Sequence, residues 1–504
     1  MAIRPCRECN AQVSTKAKVC PQCGVRDPTA GLKSRKMGSN LNFALAYATA
    51  GSNDCTSRWT KTGRPAFNLV ESPDRSRSSL ALRNLRGVVI IIVLAFHAVL
   101  AYVDWSLPHS SGFNDPAYKW RAFPIIDARQ WVGFDLFCVW QDVYLMSLMF
   151  FLSGLFVWPS LQRKHSFDYA RERLTRLGIP FAFGVIVLIP VAFYPGYLVS
   201  TASPSIADYV ERYLALPFVP NGQLWFLWQL LALNLVATVI YFLAPGAFPA
   251  LARWSKRLEE RPQNYYAALA VISALVYVPV AYAFTPWAWS NSGILSIQWC
   301  RPLLYAVYFF AGIGVGTGGI DVGLLDANGA LARHWRLWLL VAIVSWFAWM
   351  GVTYLTLNGD APTSVDIAAD LMFVLACAGG CFFLVATSLR FLTKRSAVLD
   401  SLSVNAYSLY LVHYDFVVWL QYALLGWSLF ALIKGAIVFG ATLVLSWITV
   451  VGAQHVPFAK RLIAVPPRPR GMRHHLPLMR GSGKSFHRNG HPHRTSRPIR
   501  RRLS

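Results

Sequence analysis

The sequence predicts an all-α polytopic membrane protein of about ten transmembrane helices. Three observations carry the prediction. The 504 residues are 55% hydrophobic and only 14% charged, with a mean hydropathy of +0.40, a balance that water-soluble domains seldom show. Apolar segments near 86–105, 140–160, 177–199, 223–244, 265–284, 301–318, 336–357, 369–389, 403–425 and 428–451 approach the length that a helix needs to cross a bilayer. The connections between them alternate between strongly basic and weakly charged, as membrane orientation requires.

Taken in order, residues 6–23 read CRECNAQVSTKAKVCPQC. Cys6 and Cys9 make one Cys-x-x-Cys knuckle, Cys20 and Cys23 a second. Four thiolates at this spacing wrap one tetrahedral Zn2+, and the pair is far more specific than a lone knuckle, whose alternative is a redox dithiol. Residues 1–30 are therefore read as a small structural zinc ribbon, similar to short modules at the ends of many bacterial proteins. Such a ribbon stabilises itself or docks a protein partner. Residues 31–79 are rich in Ser, Thr, Gly, Arg and Asn and read as a flexible linker. The membrane domain is assigned to 80–455, and 456–504 to a disordered basic tail. The tail's five histidines read as solvated.

The net charge of +25 does not point to nucleic acid, because its distribution is that of a membrane protein. Thirteen Lys or Arg and no acid lie between Lys460 and Arg502, where they suit anionic lipid headgroups. Other basic residues cluster in alternate loops, among them Arg171, Arg173 and Arg176, then Arg253, Lys256, Arg257 and Arg261. The intervening loops carry few bases without nearby acids. The positive-inside rule then places both termini in the cytoplasm. That compartment favours zinc over disulfides for the four cysteines. The opposite loops, around 105–137, 200–222 and 285–299, are aromatic; they read as interfacial belts or as a stacking platform for a sugar.

Three features carry the chemistry. In the first apolar segment Arg86 stands at the start and His97 eleven residues on, about 16 Å of helix rise and close to three turns. Both should share a face, and an imidazole within hydrocarbon is a functional candidate by default, the alternative being a histidine satisfied by a neighbouring helix. In the second segment MFFLSGLF (149–156) places Ser153 and Gly154 at a small-residue break suited to close helix packing. In RERLTRLGIP (171–180), Arg173 and Arg176 project together; they serve topology or clamp phosphates. His413 lies near the middle of the ninth segment, read first as a structural hydrogen-bonding group. Asp135 and Asp142 could orient an imidazole or bind hydroxyls.

In these motifs the chain resembles the acyltransferase-3 family of integral membrane proteins. The carrying residues are Leu85-Arg86-Gly87 followed by His97, FFLSGL at 150–155, and Arg173-x-x-Arg176-LGIP. WFLWQLL (225–231) and AYSLYLVHYDF (406–416) also look like family helices. The resemblance covers roughly residues 80 to 455. One departure is Arg83, where family members often carry Asp.

The resemblance implies an enzyme of the bacterial inner membrane that moves a small acyl group, acetyl or succinyl, from cytoplasmic acyl-CoA to a hydroxyl of an extracytoplasmic glycan. It implies His97 as catalytic base, Arg86, Arg173 and Arg176 at the donor, and Ser153, His413, Asp135 and Asp142 in support. The rival class is a transporter or flippase of a lipid-linked or acidic solute. Such proteins tend to have paired halves, and none is visible here.

Overall fold

The computed structural model describes residues 3–5, 12–14, 73–456 and 459, apart from 105–111, 116–117, 291–292, 294–296, 358 and 360. The chain divides into two units, Met1–Val70 and Glu71–Ser504. In the first, strands β1 (Ile3–Pro5) and β2 (Gln12–Ser14) pair antiparallel, with Pro5 opposite Gln12. Cys6, Cys9, Cys20 and Cys23 lie outside the described residues, as do most of the linker and tail.

The second unit is helical. Its long helices are α1 (Pro73–Val99), α2 (Val132–Gly154), α3 (Ser166–Ser200), α4 (Trp225–Leu243), α5 (Pro262–Phe284), α6 (Arg301–Gly318), α7 (Trp335–Thr356), α8 (Thr363–Phe391), α9 (Ala397–Ala423) and α10 (Ala431–Ala453). Each of the ten apolar segments falls for the most part on one of them. Among the described residues, eight are long and apolar enough to cross a membrane; α6 passes only with Gly323–Arg333, across an 89° bend. The bend follows Gly319, whose φ of +111° is open to glycine and closed to most side chains. α9 is the tenth. It fails on composition because Asp400, Asn405, His413, Asp415 and Gln421 interrupt it. These groups are tolerable because α9 packs against α1, α3 and α10 rather than lipid.

α1 starts thirteen residues before Arg86, at Pro73. The sequence reading put Arg86 at the helix start; the structure puts it well inside. The extra turns hold because the loops beside them satisfy their polar groups. Asn84 donates to the Leu392 and Lys394 carbonyls at 2.7 and 2.9 Å, and Ser78 Oγ accepts the Ala327 N–H at 3.0 Å.

α2 and α6 touch backbone to backbone. A Cβ on Gly154 would lie 2.1 Å from the Phe309 carbonyl, and one on Gly312 2.1 Å from that of Phe151. Only glycine permits this approach, which is what the small-residue break secures. α3 is less regular. π turns occupy Leu174–Gly178 and Gly184–Leu188. Pro180 and Pro195 have no N–H for the carbonyls four residues earlier, those of Arg176 and Val191. Side chains of α9 serve those oxygens: the Tyr407 hydroxyl donates to Arg176 at 3.0 Å and the Trp419 indole to Val191 at 3.1 Å. Within a membrane, freed backbone groups need such neighbours.

The aromatic loops are largely core, which corrects the platform reading for two of the three. Phe113 stacks on Trp120 at 4.4 Å, Trp120 meets Phe193 at 4.8 Å, and Tyr197 and Tyr209 close the cluster; all are buried. Beside it Asp127 and Lys434 form an ion pair of 2.6 Å with side-chain exposures of 1% and 0%, tying this loop to the start of α10. In the 285–299 loop, Trp287, Trp289 and Trp299 stay exposed.

Candidate active site

α1 and α9 run side by side in the same direction. Near one end Arg83 pairs with Asp400 at 2.6 Å, which gives the unusual arginine its partner. Near the other, Gln421 Nε2 donates to the His97 and Ala98 carbonyls at 2.9 and 3.2 Å. The last carbonyls of a helix have no partner within it, so Gln421 fixes the turn that carries His97. Between these ties His97 meets His413, with His413 Nε2 3.3 Å from His97 Nδ1.

The hydrogen bonds assign the tautomers. His97 Nδ1 lies 2.9 Å from the Val93 carbonyl, and His413 Nδ1 2.7 Å from that of Tyr410. A carbonyl oxygen only accepts, so each Nδ1 carries a hydrogen, and in a neutral ring each Nε2 is then a lone pair. His413 Nε2 accepts from His97 Nδ1–H, which it shares with Val93. The result is that His97 Nε2 is free to take a proton. His413 is fully buried, whereas His97 is half-buried.

Aromatic edges and one turn frame the pair. Tyr414 stands edge-on to His97 at 5.3 Å, and Phe193 to Tyr414 at 6.2 Å. The turn Gly222–Leu224 comes up against α9, with the Tyr410 hydroxyl donating to the Gln223 carbonyl. Gly222, at φ +44°, would carry a Cβ 3.6 Å from the Tyr414 ring. The Gln223 side chain is 4% exposed, yet neither its amide nitrogen nor its oxygen has a partner among the described residues. Such a buried amide forfeits about 1–3 kcal/mol, and a bound polar ligand would restore it.

The other candidates are distributed as follows. Arg86 is half-buried, its guanidinium 4.4 Å over the Phe156 ring, so the first motif touches the second at the break after α2. No carboxylate pairs with Arg86 among the described residues. Arg173 lies 4.7 Å over the Tyr169 ring and its Nε has no partner among the described residues. Arg176 is exposed and pairs with Glu172 at 3.1 Å. No hydrogen bond, ion pair or ring contact among the described residues joins Arg86 to either. Ser153 donates to its own helix, at the Met149 carbonyl, 2.8 Å away. Asp135 accepts the Asp104 N–H at 2.8 Å. Asp142 is paired with the buried Arg301 at 2.7 Å, whose guanidinium lies 4.5 Å over the Phe373 ring. Of the residues singled out from sequence, His97 and His413 are the two that the fold brings into contact.

Sequence reasoning missed that contact, and with it Gln421, Gln223, Arg301 and the Asp127–Lys434 pair. A signal for α9 was present. Tyr410, His413, Tyr414, Val417 and Gln421 recur at the spacing of one helix face, and all are buried.

The comparisons with known proteins agree with this architecture. The family model described as an acyltransferase domain, that of the acyltransferase-3 family, matches residues 79–451. No curated protein and no solved structure matches the chain. The family match takes in well over half of the 504 residues and the greater part of every long helix. The chain therefore belongs to the acyltransferase-3 family and is an integral membrane acyltransferase, an enzyme that transfers acyl groups other than amino-acyl groups.

Proposed function

We propose that the enzyme moves a small acyl group, acetyl or succinyl, from cytoplasmic acyl-CoA to a hydroxyl of an extracytoplasmic glycan. In this reading all ten long helices cross a bacterial inner membrane, both termini are cytoplasmic, and Cys6, Cys9, Cys20 and Cys23 hold a structural Zn2+. The single observation that carries the reading is the His97–His413 contact, which leaves the lone pair of His97 Nε2 uncommitted as a proton acceptor near the end of α1. A sugar hydroxyl is a poor nucleophile until its proton is withdrawn, which is the work of a general base.

The step balances on this chain's own residues. The acceptor oxygen attacks the thioester carbonyl carbon while its proton passes to His97 Nε2. The new C–O bond forms and the carbonyl oxygen takes the electron pair, where the unpartnered Gln223 amide can donate to it. Collapse breaks the C–S bond, and the leaving thiolate takes the proton back from the imidazolium. Arg86, which has no carboxylate partner among the described residues, together with Arg173 and Arg176, supplies cations for the donor's phosphates. Ser153, engaged with Met149, is not needed as a nucleophile.

The test uses membranes supplied with labelled acetyl- and succinyl-CoA and envelope glycan extracts. His97→Ala should lower transfer by about 10²–10⁴-fold at unchanged protein level. Transfer by that variant at the parent's rate would sink the assignment.

A further inference from the structure

On the side of the bundle formed by α5 and α6, away from the histidines, lies a groove of about 320 Å³. This falls within the ~300–1,000 Å³ of small-molecule sites. Its third wall is the surface helix Ala247–Glu259. Small side chains on the facing helices, Ala268 and Ala306, hollow it out between Trp254, Ile272 and Phe310. No charged residue lines it. The one hydroxyl among its walls, that of Tyr265, donates to the Ala311 carbonyl at 3.2 Å, so the lining is almost wholly apolar apart from the Trp254 indole N–H.

The surface helix is anchored by a different face. Phe248, Ser255 and Glu259 are buried; Ser255 donates to Glu259 at 2.7 Å, and Glu259 accepts the Leu324 N–H. Leu251, Trp254 and Leu258 turn to the groove. The third face carries Arg253, Lys256 and Arg257, all exposed, and Arg261 follows. None of these four is in an ion pair among the described residues, and Glu260 is the one exposed acid beside them. An apolar slot bordered by four exposed cations, none in an ion pair among the described residues, matches a molecule with a hydrocarbon chain and an anionic head.

We propose that this groove is a binding site for one acyl chain of an anionic diacyl phospholipid, whose phosphate is held by Arg253 and Arg257 at the edge of the surface helix. The lipid fills the space between α5, α6 and the Ala247–Glu259 helix and fixes that helix at the membrane surface. The site is independent of the acyl-transfer chemistry.

The experiment reconstitutes the full chain in nanodiscs holding equal phosphatidylglycerol and phosphatidylcholine. The protein is then extracted into detergent, and its retained lipid is counted by native mass spectrometry. The parent should keep phosphatidylglycerol over phosphatidylcholine by at least about fivefold. Arg253→Ser with Arg257→Ser, both exposed positions that leave the core untouched, should bring the preference near parity. Ala306→Phe should remove the retained lipid of either kind, with folding checked by its size-exclusion profile. Equal retention of both lipids by the parent, as for ordinary annular lipid, overturns the proposal. So does an unchanged preference in the arginine double variant.

Discussion

At the scale of single residues, the structure sets His413 against His97, and on the proposed mechanism it acts through that ring rather than on the acceptor. Its Nε2 shares the His97 Nδ1 hydrogen with Val93, and its own Nδ1 is committed to Tyr410. Which nitrogen of an imidazole is basic depends on the bond that the other makes. On the proposed mechanism His413 is therefore a positioning residue. We predict that His413→Leu lowers kcat by about tenfold or more with little change in KM. His413→Gln, which keeps an acceptor in the helix face, should recover part of the loss. Equal losses in the two variants would reduce the role of His413 to packing. Arg83 illustrates the same dependence on partners: by sequence it was an anomaly beside Arg86, and in the fold it pairs with Asp400.

At the scale of elements, α9 does the organising. It reads as the least membrane-like of the ten helices because several of its polar residues are spent on neighbours. Tyr407 and Trp419 serve carbonyls of α3, Tyr410 holds the Gln223 turn, and Gln421 fixes the end of α1. α10 is set against the same end by the Asp127–Lys434 pair, which has almost no contact with solvent. Losing one partner of such a pair leaves a buried charge uncompensated, a loss of about 3–5 kcal/mol, whereas replacing both is far milder. Lys434→Met should thus lower the thermal unfolding temperature in detergent substantially, and Asp127→Asn added to it should restore most of the difference. A double variant as unstable as the single one would show that the pair does not act as a unit. The surface helix Ala247–Glu259 shows burial working on a titrating group: burial pushes the Glu259 carboxyl above its usual range, opposed by the bonds from Ser255 and Leu324.

At the scale of the molecule, the two units call for separate tests. The donor set of Cys6, Cys9, Cys20 and Cys23 suits zinc by its softness and number, and β1 and β2 flank the first knuckle in sequence. The full-length protein should carry about one zinc per chain by elemental analysis, and Cys6→Ser with Cys9→Ser should lose it while acyl transfer persists. Zinc retained by that variant would remove these cysteines as ligands.

The apolar segments, read by length and hydropathy alone, all lie on helices, because hydrocarbon leaves a single chain segment few other ways to satisfy its backbone. The same pattern distinguishes a membrane enzyme from a nucleic-acid binder of equal charge. Motif spacing singled out both histidines and the arginines one helix at a time. What it could not supply was any relation between residues 316 positions apart. Side-by-side packing of α1 and α9 decided that the two imidazoles meet, which ring nitrogens face carbonyls, and why Arg83 is tolerated. Those outcomes depend on distances of a few ångströms across helices, and such distances are set by close packing of the whole bundle, not by the order of residues along one of its helices.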